Sequence, residues 1–181
     1  SGIDTYGRVS SVSRSDVNMI ITVNPKTHKI LITSIPRDYY VTLAGKNAKD
    51  KLTHAGIYGI ETSVATLEDL LDIPINYYVK VNFTSLIDIV DALGGVNVYS
   101  KYSFTSKDGY HYNQGYNNVD GKKALSFVRE RKAFSEGDRT RVENQAAMIE
   151  ALINKAISPS IIMNYTSLLN ALNDSFITNL D

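Results

Sequence analysis

The stretch VNMIITVNPKTHKILITSI, residues 17–35, carries the strongest fold signal in the chain. Two apolar, β-branched runs, at 17–23 and 29–35, flank a segment whose Asn, Pro and Lys are typical of a turn. This pattern predicts a β-hairpin whose strands are buried on both faces. The next run, YYVTL at 39–43, is expected to form a further strand.

Helical and extended stretches alternate after this hairpin. Apolar residues with helical spacing are found at 51–58, 62–71, 84–93 and 139–157. Predicted N-caps are Thr62, Thr84 and Asp120, the last for a short helix ending near Phe127. In the long helix one face is formed by Val142, Ala146, Ile149 and Ile153.

The remaining segments complete the predicted fold. The stretches 75–81 and 96–99 are expected to be extended, and the polar tract 101–121, rich in Tyr, Asn and Gly, to be a long surface loop. Helices that alternate with strands predict an α/β fold. We expect a three-layer α/β/α sandwich in which the hairpin makes the central sheet mixed.

Composition excludes several classes of protein. Lys and Arg number 19 and Asp and Glu number 19, so the chain lacks the net positive charge of a general nucleic-acid binder. It contains no Cys, which excludes disulfides, thiolate zinc sites and a Cys nucleophile. No apolar run approaches the roughly 18 to 20 residues that span a bilayer. Because the positive and negative charges of the whole chain balance, any site for an anion must be formed by a local group of cations.

One local candidate is VRERKAFSEGDRTR, residues 128–141, with four arginines and one lysine. A solvated charged loop would explain it, but arginine is preferred where phosphate or carboxylate is bound through two parallel hydrogen bonds. If FVRER is extended, its period of two places Arg129 and Arg131 on one face. Two guanidinium groups would then point the same way.

A helix start follows these two arginines. Ser135 or Asp138 is the expected N-cap, which places Arg139 and Arg141 in the first turn. A cation there opposes the helix dipole, whereas a bound anion would explain it. Gln145 lies one turn after Arg141 on the same face and extends the polar site.

A second candidate group lies around the hairpin. Arg37 directly follows a predicted buried strand, a common place for ligand-binding residues in α/β folds. Arg14 and Asp16 share one side if the segment before the hairpin is extended. Asp4 could supply a second carboxylate, and Mg²⁺ is usually held by one or two carboxylates together with substrate oxygens.

Seven segments, taken in chain order, resemble one known family. They are SGIDTYG, SRSDVNMIITVNP, ILITSIPRDYYV, KLTHAGIYGI, IDIVDALGGV, VDGKKALSFVRER and GDRTRVENQ. Together they resemble the LytR-CpsA-Psr (LCP) family, especially its streptococcal, capsule-associated CpsA-like members. The resemblance runs from the first residue to about Ile157. It implies that residues 1–181 are a single LCP catalytic domain, incomplete at both ends.

The resemblance also implies residue roles. It makes Asp4 and Asp16 the metal-binding carboxylates. Catalytic roles are implied for Arg37, Arg129, Arg131, Asp138 and Arg141. Lipid-pyrophosphate binding is implied for Arg14, Lys51 and Gln145, together with the catalytic arginines. The family often has Arg where this chain has Asn144, so one cation of the usual cluster is missing or replaced.

Members of this family are membrane-anchored proteins that act outside the cell. The resemblance implies a phosphotransferase, dependent on Mg²⁺ with Mn²⁺ as the alternative ion. Its expected reaction moves a glycopolymer, a capsular polysaccharide or a teichoic acid-like polymer, from a polyprenyl-pyrophosphate carrier to peptidoglycan through a phosphodiester. The expected location is the extracytoplasmic face of the membrane of a Gram-positive bacterium, with an anchoring segment outside this sequence and no nucleic-acid partner.

Two other functions fit the same residues. One is a Mg²⁺-dependent polyprenyl-pyrophosphate pyrophosphatase, in which water replaces the sugar hydroxyl. The other is a non-catalytic module that binds phosphorylated lipid or acidic glycan, with the Tyr-rich tract 99–116 stacking on sugars.

Overall fold

The computed structural model describes Val9, residues 13–163, Leu168, Leu172 and residues 175–180. The chain divides into two compact units. The first unit comprises residues 1–84 and 176–181, and the second comprises residues 85–175.

The predicted hairpin is present in the first unit. β1 (Asn18–Asn24) pairs antiparallel with β2 (Lys29–Ile35), with Asn18 opposite Ile35. At the turn, the side chain of Asn24 accepts hydrogen bonds from the backbone N–H groups of Lys26 and Thr27. The prediction of burial on both faces is wrong, because most of both strands beyond their base is exposed. A β-branched composition favours an extended backbone, whereas burial requires a covering element.

The rest of the first unit packs around the base of this hairpin. β3 (Tyr40–Leu43) pairs antiparallel with β4 (Ala48–Lys51), and β5 (Val79–Lys80) pairs antiparallel with the strand Ile177–Thr178. The helices are α1 (Leu52–Ala55), a 3₁₀ turn (Gly56–Tyr58) and α2 (Ile60–Leu71). The core comprises Ile35, Val41, Leu43, Leu52, Ala55 and Leu67.

Several predicted boundaries in this unit shift. Lys51 ends a strand instead of beginning a helix, and the predicted strand 75–81 is reduced to β5. Thr62 lies inside α2, whose N-cap is Gly59. Gly59 has φ 108°, a value that glycine adopts without steric cost, so backbone geometry set this boundary instead of a side-chain cap.

The second unit contains an antiparallel ladder flanked by helices. α3 (Phe83–Ala92) leads through Gly94 and Gly95 into β6 (Val96–Ser100), which pairs with β9 (Gly115–Val119). Thr84 lies within α3, so it is not its N-cap. The Asp91 carboxylate accepts a hydrogen bond from the backbone of Gly121 at 2.7 Å and ties α3 to the start of the next helix.

The polar tract 101–121 is not one long loop, and this prediction is wrong. It contains β7 (Phe104–Thr105), β8 (His111–Tyr112) and β9. The rings of Phe104 and Tyr112 are buried and stack with centroids 4.8 Å apart, and Phe127 packs against both. These aromatic contacts supply the core that a purely polar loop would lack.

Two helices complete the part of this unit that positions the arginines. α4 (Gly121–Arg129) is capped as predicted, because the Asp120 carboxylate accepts a hydrogen bond from Lys123 N at 2.9 Å. α5 (Gly137–Ala156) follows, and α6 (Pro159–Met163) comes after it. The most buried residues of α5 are Thr140, Arg141, Asn144, Met148 and Ala151, not the predicted apolar stripe, which is half-buried. Hydrogen bonds from Asn144 and Gln145 to backbone carbonyls of α4 orient α5 in this way.

The predicted α/β fold is confirmed. The ladders found among the described residues are all two-stranded and antiparallel, so they do not form one continuous mixed sheet. In the part of the chain that the structure describes, no helix has both the length and the apolar character to cross a bilayer.

Candidate anion-binding site

The arginine-rich stretch forms a turn between two helices instead of a strand. α4 ends at Arg129, Glu130 is extended (φ −65°, ψ 134°) and α5 begins at Gly137. We call residues 129–138 the arginine turn. The predicted strand alternation of Arg129 and Arg131 is therefore wrong. Arg129 is exposed at the end of α4, where a cation interacts favourably with the helix dipole.

Glu130 holds the arginine turn together, a role that sequence reasoning missed. Its side chain accepts hydrogen bonds from the backbone N–H groups of Arg131, Lys132 and Ala133 at 2.7–3.0 Å, and from Lys107 N at 2.6 Å. Burial alone would raise the pKa of Glu130, but these four donors outweigh it, and the pKa lies below its ordinary value. The only signal in the sequence was one acid between two arginines.

Asp138 brings two of the predicted arginines together. Its Oδ1 lies 3.4 Å from Nε of Arg131 and 3.3 Å from Nη2 of Arg141. Two guanidinium groups thus lie against one carboxylate. The N-cap of α5 is Glu136, so neither Ser135 nor Asp138 is the cap. Asp138 lies in the first turn, where a carboxylate is favourable.

The two arginines of early α5 differ in burial. The side chain of Arg141 is 11% exposed, whereas that of Arg139 is 72% exposed. Arg139 lies 3.4 Å from Glu136 and 3.6 Å from Glu143, which are ordinary surface ion pairs. Of these two cations, only Arg141 is held out of water, where an anion would be bound most strongly.

Asn144 and Gln145 attach α5 to the end of α4. The Asn144 side chain donates to the carbonyl of Phe127 at 3.3 Å, and that of Gln145 donates to the carbonyl of Val128 at 3.4 Å. These carbonyls belong to the last turn of α4, where backbone oxygens lack partners within the helix. Asn144 therefore has a structural role at the position where the family often has a cation.

The first unit carries a charged group around Arg37. Its Nη1 donates to Oδ1 of Asp16 at 2.7 Å, and its Nε lies 3.6 Å from Asp38. Lys51 joins this group, because its Nζ donates to Asp38 at 2.8 Å. This hydrogen bond holds the pKa of Asp38 below its ordinary value. The structure thus brings Asp16, Arg37 and Lys51 into one network.

Backbone contacts hold this network in place. Ser15 N donates to the carbonyl of Thr53 at 3.0 Å, and Thr53 N donates to the carbonyl of Arg37 at 2.9 Å. Gly56 permits this close approach, since a Cβ there would lie 2.6 Å from the Ser13 carbonyl oxygen and 2.7 Å from Ser15 N. Sequence reasoning gave this glycine no role.

The predicted metal ligands are only partly described. Asp4 lies outside the described residues, and Arg14, two residues before Asp16, is exposed. Among the described residues there is no group of three or more His, Cys, Asp or Glu side chains that could hold a metal ion. Asp16 carries one carboxylate, the ligand type with which Mg²⁺ is usually held together with substrate oxygens and water.

A pocket at the C-terminal end of α2 contains none of these residues. It is lined by Glu68, Asp69, Asp72, Ile73 and Pro74. Three carboxylates in its wall would repel a phosphate, so this pocket is unsuited to an anionic ligand.

Comparison with known proteins relates these groups to a family. The model of the LytR_cpsA_psr family matches residues 1–181. A curated relative from Bacillus cereus (strain AH820), the polyisoprenyl-teichoic acid–peptidoglycan teichoic acid transferase TagU, is 43% identical over 168 residues, 92% of this chain and 55% of the relative. TagU of Bacillus subtilis (strain 168) is 38% identical over 180 residues, 99% of this chain and 58% of that protein.

Solved structures of similar proteins also match this chain. The crystal structure of B. subtilis TagU matches with a TM-score of 0.82 and 38% identity, covering 93% of this chain and 73% of that one. A structure of TagT bound to LI-WTA matches with a TM-score of 0.75 and 32% identity, covering 99% of this chain and 67% of that one. The chain spans a little over half the length of the curated relatives it matches. It belongs to the LytR-CpsA-Psr family, as its motifs predicted.

Proposed function

We propose that this protein is a Mg²⁺-dependent phosphotransferase that moves a glycopolymer from a polyprenyl-pyrophosphate carrier to peptidoglycan. Family membership supports this, as does the name of its TagU relatives, a transferase from polyisoprenyl-teichoic acid to peptidoglycan. The observation that carries the proposal is the pair of arginines at Asp138, one of them largely buried. Paired guanidinium groups suit the pyrophosphate of the carrier, because arginine binds phosphate oxygens through charge-assisted hydrogen bonds.

The chemistry explains why arginines are needed. A pyrophosphate diester carries about two negative charges, and phosphoryl transfer depends mainly on positioning and on neutralising this charge. Arg131 and Arg141 would bind the phosphate oxygens, while Asp138 keeps the two guanidinium groups in place. We assign the same anion-binding role to Arg37, whose orientation is maintained by Asp16.

The proposed step is a substitution at the sugar-proximal phosphorus. A hydroxyl oxygen of peptidoglycan forms a new P–O bond, the pyrophosphate bridge breaks and the polyprenyl monophosphate leaves. The proton of the hydroxyl passes to a carboxylate, for which Asp16 and Asp138 are the two candidates. The product is the glycopolymer joined to peptidoglycan by a phosphodiester.

Asp16 and Asp4 are the proposed ligands of the metal ion. A bound Mg²⁺ or Mn²⁺ would supply further neutralisation of phosphate charge. Asp16 would have to keep its contact with Arg37 while offering an oxygen to the ion. We further propose that the protein acts on the extracytoplasmic face of a Gram-positive membrane and is anchored by a segment outside this sequence.

Incubating the protein with a lipid-pyrophosphoryl oligosaccharide, Mg²⁺ and peptidoglycan fragments tests this proposal. We expect a phosphodiester-linked product and lipid monophosphate. Lipid monophosphate and oligosaccharide phosphate without a linked product would instead indicate a pyrophosphatase. Unchanged substrate with measurable affinity would indicate a binding module, for which the exposed pair Tyr99 and Tyr116, with ring centroids 5.3 Å apart, offers a sugar-stacking surface.

A further inference from the structure

The carboxylate of Glu130 occupies a backbone anion site. Oε1 accepts hydrogen bonds from three consecutive N–H groups, those of Arg131 (3.0 Å), Lys132 (2.7 Å) and Ala133 (3.0 Å). Successive N–H groups that converge on one oxygen form a nest, an arrangement that proteins use to bind phosphate. Here the protein fills its own nest. These three amides are therefore already engaged by Glu130.

The same carboxylate reaches a second segment. Its Oε2 accepts a hydrogen bond from Lys107 N at 2.6 Å, in the turn between β7 and β8. A buried hydrogen bond from the Ser126 hydroxyl to that of Ser106, at 2.9 Å, joins the same turn to α4. Glu130 is only 5% exposed, so water does not compete strongly for these contacts. The β7–β8 hairpin is thus cross-linked to the arginine turn.

These contacts fix the backbone on both sides of Arg131. Its N–H donates to Glu130, and its carbonyl accepts a hydrogen bond from Phe134 N at 3.3 Å. The carbonyl also approaches Gly137 so closely that a Cβ there would lie 2.8 Å from it. Arg131 therefore projects from a rigid backbone toward Asp138, and little conformational freedom remains to be lost when a ligand binds.

We infer that Glu130 is a positioning residue that holds Arg131 in the orientation that binds the pyrophosphate. This inference rests on the proposed function, because it concerns the same ligand. It adds a residue with no direct ligand contact whose two oxygens act on different segments, one on the arginine turn and the other on the β7–β8 hairpin.

Replacing Glu130 by Gln tests its contact with the arginine turn and its contact with Lys107. A Gln side chain has one oxygen and one NH₂ group. Whichever way this amide is oriented, its NH₂ group faces backbone N–H donors at one of the two contacts and cannot accept from them. Because three donors lie on one side, we expect the Gln oxygen to stay in the nest and the Lys107 contact to be lost. Glu130→Asp keeps both oxygens and the charge, and Glu150→Gln removes an equal charge from an exposed position of α5.

Two measurements are made on the full chain at a temperature where circular dichroism shows every variant folded. Amide hydrogen exchange should speed up in Glu130→Gln at Lys107 first, then at 131–133. The dissociation constant of a short-chain prenyl pyrophosphate, measured by calorimetry, should rise about ten-fold. Glu130→Asp should recover part of the affinity, and Glu150→Gln should stay within about two-fold of the wild type.

Equal affinity of Glu130→Gln and the wild type would overturn the inference, as would unchanged exchange at 107 and 131–133. If Glu130→Gln does not fold, the same two readouts on Glu130→Asp decide, and wild-type values there would also overturn it. If the wild type itself does not bind the prenyl pyrophosphate, the proposed function fails. Amide hydrogen exchange in Glu130→Gln then shows separately whether Glu130 holds the arginine turn.

Discussion

Replacing Arg141 by Met should separate ligand binding from stability. Arg141 is largely buried and contacts Asp138 at 3.3 Å, while the Asp138 side chain is 71% exposed. Removing the guanidinium therefore leaves behind a carboxylate that water can solvate. Met fills much of the same volume with an unbranched apolar chain.

The expected magnitudes follow from these exposures. An ion pair with an exposed partner contributes about 0–1 kcal/mol, and burying a guanidinium carries its own desolvation cost. We therefore expect the loss of the Asp138 ion pair to lower the free energy of unfolding by no more than about 1 kcal/mol. Binding of a pyrophosphate would lose a charge-assisted hydrogen bond of roughly 1.5–3 kcal/mol. This loss corresponds to a ten- to hundred-fold weaker affinity.

Arg139→Met is the matched control, because Arg139 lies two residues earlier on the same helix and is highly exposed. Calorimetric titration with a short-chain prenyl pyrophosphate gives the affinities, and urea unfolding gives the stabilities. We expect Arg139→Met to bind within about two-fold of the wild type. Equal losses in the two variants would show that only net charge matters and would refute the reasoning.

Three further predictions concern the contacts that hold the arginine turn and its flanking helices in place. Gly137→Ala should cost about 1–3 kcal/mol in urea unfolding, because its Cβ would lie 2.8 Å from the Arg131 carbonyl oxygen; an unchanged midpoint would contradict the described turn. Asn144→Leu should cost about 1–3 kcal/mol by leaving the Phe127 carbonyl without this donor, and no change would remove its assigned role. Folding lowers the pKa of Glu130. The Glu130 carboxylate therefore stabilises the folded state above the unfolded carboxyl pKa of about 4.3, and this stabilisation is lost as the pH falls through the folded pKa. The stability difference between wild type and Glu130→Gln, from urea unfolding at stepped pH, should shrink as the pH falls below about 4.3, and a constant difference would contradict this.

The sequence predicted the elements that local physics decides. The hairpin at 17–35 followed from β-branched runs around a turn, and Asp120 was recognisable as an N-cap from its place before a helical run. Two larger failures depended on contacts distant in sequence. Burial of the hairpin depends on covering elements, and the strands within 101–121 depend on Phe104 and Tyr112 packing with Phe127.

The same distinction holds at the candidate site. The family resemblance selected Arg131, Asp138 and Arg141, whereas the contacts of Asp138 with the two arginines came only from the structure. The role of Glu130 could not be predicted, because one of its partners, Lys107, lies 23 residues away. The extended geometry predicted for FVRER failed because α4 continues to Arg129, and local propensity gives way to tertiary contacts such as those of Asn144.

Following the sugar-proximal phosphorus of the carrier tests the central claim most directly. A lipid-pyrophosphoryl oligosaccharide labelled at that phosphorus is incubated with the protein, Mg²⁺ and peptidoglycan fragments, and the label is located by mass spectrometry. We predict that the label enters peptidoglycan as a phosphodiester in the wild type and is largely lost from it in Arg141→Met. Label found only as free or sugar-bound phosphate monoester, or transfer unaffected by Arg141→Met, would contradict the account.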